Sequence, residues 1–267
     1  MLLSRTAPRP AAPVARVAVV LACLAGLAAV VCQIVYSQTD PAERVPLTLA
    51  AVVAFALASA IDAAARAGVR ALVALVLVAA GGGLLVEAVG VATGFPFGDY
   101  AYTGDLGWSV LGVPAVVPLA WLMMAWPALL VGRALAAGPW VVPVAAWALA
   151  SWDVFLDPQM VDAGHWAWAD PTPGLPGVDG IPLTNFAGWV VVALAMVAVL
   201  HRVVPRDVAP ADVRRGPAPL LYLWTYGSSV WAHSFFFGRP WVSLVGGVLM
   251  GVVAIPYAVA VARGSRR

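Results

Sequence analysis

The sequence contains no lysine, only two cysteines and three histidines, and little charge of either sign. With 10% charged and 63% hydrophobic residues among 267, it lacks the polar surface of a water-soluble globular domain. Cys23 and Cys32 fall in one apolar stretch, nine residues apart. At about 100° per helical residue they lie on opposite faces and cannot pair with each other. No Cys/His spacing marks a zinc site, so neither a redox centre nor a metal is expected. Positive charge is missing from one side as well. The two longest outer connections, residues 93–111 and 158–182, hold five aspartates and not one arginine.

What the chain has in abundance is apolar runs of about twenty residues, long enough to cross a bilayer core of about 30 Å. They fall at 15–36, 46–65, 70–92, 112–132, 139–157, 183–203, 219–237 and 241–262, with a mean hydropathy of +0.92 overall. The seventh is the weakest, interrupted by Gly227, Ser228 and Ser229. Arg5, Arg9 and Arg16 precede a first run too long for a signal-peptide core, which reads as a retained anchor. With the amino terminus inside, thirteen of the fifteen arginines fall in cytoplasmic segments, and only Arg44 and Arg239 fall outside. The expected fold is therefore all-α: a polytopic bundle of about eight transmembrane helices in the cell membrane, both termini cytoplasmic, with residues 1–267 forming one integral membrane domain. Reporter fusions at each terminus test this orientation. Both should give a cytoplasmic signal, and a periplasmic signal from either end would invert the topology.

The ionisable residues inside the helices gather at the outer side. Glu87 lies near the outer end of the third run. Asp153 and Asp157, spaced i, i+4, share a face near the outer end of the fifth, which Pro158 is expected to terminate. Asn185 begins the sixth run and His233 lies near the outer end of the seventh. A carboxylate at membrane depth costs several kcal/mol unless it is paired, protonated or facing a wet cavity. Several at one depth imply a single polar pocket opening towards the outer leaflet. The long outer loops that flank it are rich in aromatic residues, which argues for folded loops over disorder.

A pattern recurs at an offset of 66 to 68 residues. Glu87, Tyr100-Ala101-Tyr102, Gly112-Val113-Pro114 and Trp121 correspond to Asp153, Trp166-Ala167-Trp168, Gly180-Ile181-Pro182 and Trp189. Both copies run outward, through a loop and back inward, giving a parallel repeat over helices three to six. It makes Glu87 and Asp153 counterparts facing one pocket, close to Asp157. The alternatives are a chance match in an Ala/Val/Trp-rich chain and two purely structural acids. Simpler readings serve elsewhere. Asp62 and Arg66 form a local ion pair, and His201 is interfacial. Trp108, Trp140 and Trp241 belong to aromatic belts. Asp105, Asp170 and Asp179 are turn residues. His165 either caps the Asp162 turn or takes part in chemistry.

The stretches GFPFGDYAY, GVPAVVPLAW, DVFLDPQMVDAGHWAW and GIPLTNFAGW, all within residues 81–190, resemble the membrane carotenoid hydratases of the CruF type. The resemblance implies carotenoid biosynthesis, with water added across the terminal C=C of an acyclic end group to give a tertiary alcohol. Carotenoid 1,2-hydratases and bisanhydrobacterioruberin hydratases are of this kind. It implies a catalytic core at 81–190, no cofactor and a carotenoid substrate taken from the bilayer among membrane lipids. No nucleic-acid partner is implied, and association with other membrane enzymes of the pathway is left open. The chemistry needs an acid that stays neutral near pH 7, which desolvation favours, and aromatic faces to stabilise a tertiary cation. Glu87 or Asp153, set back into the helices, is the expected proton donor. Asp157, Asp162 and His165 are expected to handle water. Tyr100, Tyr102, Trp166 and Trp168 are expected to line the cation, with Asp99, Asn185 and His233 also facing substrate.

Three other classes share some of these features. DVFLD fits the D-x-x-x-D pattern of intramembrane prenyltransferases, but a second acidic motif and basic partners for a diphosphate are missing. A proton-coupled transporter would place its acids at the midplane. A membrane lycopene cyclase makes the same cation and quenches it by ring closure, so product mass separates it from a hydratase.

Overall fold

The computed structural model describes residues 13–264; Arg5, Arg9, Arg266 and Arg267, part of the arginine count, lie outside them. Runs of Ala, Val and Leu can satisfy their backbone groups in lipid only by coiling into helices, and among the described residues eight result. They are α1 (Pro13–Gln38), α2 (Val45–Ala67), α3 (Val69–Thr93), α4 (Val116–Leu135), α5 (Val141–Asp162), α6 (Leu183–Val203), α7 (Ala218–Phe235) and α8 (Pro240–Gly264). Seven are long and apolar enough to cross a membrane; α7, with 18 residues, is the exception. The chain is an all-α polytopic membrane bundle. Val20, Leu24 and Leu27 on α1 and Val248, Val252 and Ile255 on α8 are more than half exposed, as side chains facing lipid would be. The core centres on α4, whose Trp121, Met124, Trp126, Leu129 and Leu130 are almost wholly enclosed.

Three local departures from the sequence expectation shape the outer end. First, α3 is not uniform: Leu75–Gly81 forms a π-helical segment before the three glycines 81–83. Such a widened turn shifts the register of the helix beyond it, and Glu87 lies on that part of α3. Second, Pro158 lies inside α5 and does not end it. Proline removes only its own N–H from the ladder, and the helix runs on to Asp162, where Ala163 N–H bonds Gln159 C=O at 3.1 Å. Third, residues 112–115 do not start α4. Leu111 and Gly112 both have positive φ, 54° and 82°. They form the two-residue turn of a hairpin between β2 (Ser109–Val110) and β3 (Val113–Pro114), with Val110 opposite Val113.

The long loops 93–111 and 158–182 are folded, as their aromatic content implied. β1 (Tyr100–Tyr102) pairs antiparallel with β4 (Trp166–Trp168), Ala101 opposite Ala167. β5 (Gly174–Leu175) and β6 (Val178–Pro182) make a third short ribbon, after the β2–β3 hairpin and the β1–β4 pair.

At the other end, the ion pair read from Asp62 and Arg66 is present at 2.6 Å with both side chains fully enclosed. Trp126 Nε1 donates to Asp62 at 2.8 Å, and Arg66 donates to the carbonyls of Ala209 and Gly216, each at 3.0 Å. The pair thus ties α2 to α4 and to the segment before α7, where a lone buried charge would cost several kcal/mol.

Candidate active site

Glu87 is the centre of the outer site. Its position depends on two glycines. At Gly83, one turn earlier on α3, a Cβ would lie 2.7 Å from the Trp121 ring, so only glycine lets that indole press against α3. At Gly90 a Cβ would lie 2.9 Å from the Tyr100 hydroxyl, so only glycine lets that phenol fold over the helix. The two approaches bring donors to both carboxyl oxygens. Trp121 Nε1 donates to Oε1 at 3.0 Å, and the hydroxyls of Tyr100 and Tyr102 meet Oε2 at 2.5 and 2.8 Å. Burial, reinforced by the charge of Glu87, pushes both phenols well above the ordinary tyrosine range. They therefore remain neutral donors. Three donors thus converge on one carboxyl group removed from water.

A second carboxyl group faces the same space. Asp157 on α5 accepts from Trp166 Nε1 at 3.2 Å and from Asn185 Nδ2 at 2.5 Å. The same amide nitrogen donates to Asp153 at 2.8 Å, so Asn185 of α6 clamps the i, i+4 pair. The other oxygen of Asp153 is buried without a partner. Glu87 and Asp157 line a cavity of about 60 Å³ with Tyr100, Tyr102, Trp166, Trp168, Asn185, Trp121 and Trp189. A water needs roughly 10–15 Å³ by this measure, so a few waters or a small branched hydrocarbon end fit. Thr48, Val52, Leu156 and Met160 form its edge towards a larger apolar groove.

The pairs of residues matched across the sequence pattern meet one another here. Tyr100 lies opposite Trp168 and Tyr102 opposite Trp166 in the β1–β4 ladder. Trp121 and Trp189 stack with ring centres 3.9 Å apart and planes 13° from parallel. The acids do not obey the same rule: Asp157, not Asp153, lines the cavity with Glu87. Asp153 faces Asn185 behind it.

Other expected site residues lie outside the cavity. Asp162 is 68% exposed and ion-paired with Arg239, because α5 continues past Pro158 and turns this carboxylate to the protein surface. Asp99 is exposed, its carbonyl accepting from Ala169 N–H at 2.8 Å. His233 is buried against Phe155, bonding its carbonyl at 3.1 Å and stacking on its ring, and does not border the cavity. His165 is buried beside β4 but is not a lining residue; its Nδ1 meets Asp105 at 2.6 Å and its Nε2 has no partner. Asp105, read from sequence as a turn residue, is thus the orienting partner of His165. Nothing in the sequence links these two, sixty residues apart. Trp121 and Trp189 entered the sequence reading only as repeat markers, yet both line the cavity.

The family model described as carotenoid biosynthesis protein matches residues 45–254, a stretch that holds every cavity residue. A bisanhydrobacterioruberin hydratase of Haloarcula japonica is 35% identical over 130 residues, covering 46% of this chain and 41% of that protein. The chain thus matches less than half the length of this curated relative. No solved structure matches. With its enclosed carboxyl groups, its aromatic cage and a family match over most of its length, this chain belongs to the carotenoid biosynthesis protein family.

Proposed function

We propose that this protein is a carotenoid hydratase of the cell membrane, adding water across the terminal double bond of an acyclic end group. The single observation that carries the reading is the cavity itself, where two carboxyl centres sit among aromatic rings with room for little more than a branched hydrocarbon end and water. The hydratase activity of the Haloarcula japonica relative supports it.

The two centres differ in what surrounds them, and so in role. Glu87 is met by three donors, which favours the anion. Asp153 and Asp157 share one amide donor, and two carboxylates this close do not both ionise, so the pair holds a proton. Asp157 faces the cavity and transfers that proton to the less substituted alkene carbon. The alkene's π electrons form the new C–H bond, leaving a tertiary cation. The Glu87 carboxylate and the rings of Trp166, Tyr102 and Trp121 stabilise it. Water attacks through an oxygen lone pair, and the oxonium proton returns to the Asp153–Asp157 pair, which restores the starting state. The proton donor is thus Asp157, backed by Asp153, in place of the Glu87 or Asp153 expected from sequence.

Expression in a lycopene-producing host tests the reaction. Pigments heavier by one water indicate hydration; unchanged mass with altered absorbance indicates cyclisation and overturns the reading. In the same assay Trp166→Leu should slow conversion by roughly thirtyfold, the equivalent of about 2 kcal/mol of cation–π stabilisation.

A further inference from the structure

The cavity is too small for a polyene, and the rest of the substrate must lie elsewhere. Next to it runs a groove of about 570 Å³ between α1, α2, α5 and α7. The two spaces share Thr48, Val52, Leu156 and Met160 as a common wall. No described residue lining the groove is charged; rings and aliphatic chains such as Phe55, Trp152, Phe155 and Trp231 make most of its walls, with the amides of Gln33, Gln38 and Gln159 and a few hydroxyls among them. A diphosphate or a peptide carrying charge would find no partner there, whereas a flat conjugated hydrocarbon finds apolar surface along its length.

Resting on the hydratase reading, we infer that this groove holds the polyene chain of the substrate, which slides in sideways from lipid between α1 and α7. Helix α1 packs along α2 and touches α7 only sparsely. One hydrogen bond, Trp224 Nε1 to Gln33 Oε1 at 2.7 Å, spans the gap. The small residues that weaken α7 as an apolar run now have a purpose. Gly227, Ser228 and Ser229 line the groove, and a Cβ on Gly227 would meet no atom within 4 Å. They keep the floor low where bulky apolar residues would fill it. On α5 the adjacent residues Leu156 and Asp157 divide the work: Leu156 belongs to both spaces, and Asp157 faces the cavity. A chain end passing Leu156 therefore arrives beside the proton donor.

The test is to fill the floor. Wild type, Gly227→Trp and Val248→Trp are reconstituted in lipid nanodiscs with lycopene as probe. Val248, 60% exposed on α8 and outside the groove, carries the same added bulk on the lipid face. Lycopene is achiral, so a circular dichroism signal in its visible band reports binding in a chiral groove without requiring turnover. Wild type and Val248→Trp should show this signal, and Gly227→Trp should weaken binding and conversion at least tenfold. If Gly227→Trp proves unfolded by helical signal and thermal melting, Ala232→Trp, further along the same groove, supplies the same measurement. A folded groove variant that binds and converts lycopene like wild type overturns the inference and leaves the cavity chemistry standing. Binding lost in the groove variant, with no water added by any variant, upholds the groove and removes the hydratase reading.

Discussion

Asp157→Asn is expected to reduce hydration by about 10²–10⁴-fold, the usual contribution of a general acid. The substitution is close to isosteric. Asparagine can still accept from Trp166 Nε1, and its NH₂ is accommodated once the Asn185 amide turns over, its oxygen then accepting from the new NH₂ and from a protonated Asp153. What it cannot do is lose and regain a proton. The protein should insert and fold normally while unhydrated carotenoid accumulates, measured by pigment analysis at matched protein level. Asp153→Asn should be milder, because Asp153 lies behind the cavity and acts on the proton through Asn185 and Asp157. Equal and full activity in both variants would return the pair to a structural role.

Glu87→Gln should be nearly as severe for a different reason. Removing a preorganised group that meets developing charge typically costs about 10²–10³-fold in rate. The neutral amide also has the wrong polarity for its surroundings. Its NH₂ must point either at Trp121 Nε1–H, a pure donor, or at the two phenols on the other side. Either a donor is left facing Trp121, or both phenol hydroxyls must turn away to accept from the amide and lose their own acceptor, at about 1–3 kcal/mol. Glu87→Gln should therefore lose both turnover and thermal stability, whereas Asp157→Asn loses turnover with little change in melting. Identical melting and identical turnover in the two variants would contradict this division of roles.

Much of the fold was legible because lipid leaves so few options. Eight apolar runs became eight helices, with ends displaced where local chemistry intervened: the Leu111-Gly112 turn shortened the start of α4, and a single missing N–H at Pro158 did not stop α5. The site was legible in part. Glu87, Asp157, Tyr100, Tyr102, Trp166, Trp168 and Asn185 all reach one cavity, since acids and aromatics at one depth have few other places to go. Asp162 and His233 lie outside the cavity because helical phase decides which way a polar side chain faces, and neither pairing, with Arg239 or with the Phe155 carbonyl, leaves a mark at short sequence range. The choice between Asp153 and Asp157 was illegible for a similar reason. One turn of helix separates them, and the widened turn in α3 shifts the partner across the cavity by an amount that spacing alone does not give.

The β1–β4 ladder has a consequence for how reactants with no common solvent can meet. It joins two loops from different helix pairs and lays Tyr100, Tyr102, Trp166 and Trp168 over the cavity, their backbone groups satisfied by each other. Such a roof is a partition one strand pair thick. On the hydratase reading, lipid lies below it and to the side and water above, and neither phase has to dissolve the other's reactant. A hydrocarbon substrate would then never leave the hydrophobic medium, and water would cross as single molecules. The rate should then track the thermodynamic activity of water outside the membrane and the mole fraction of carotenoid within it, two quantities that can be varied independently.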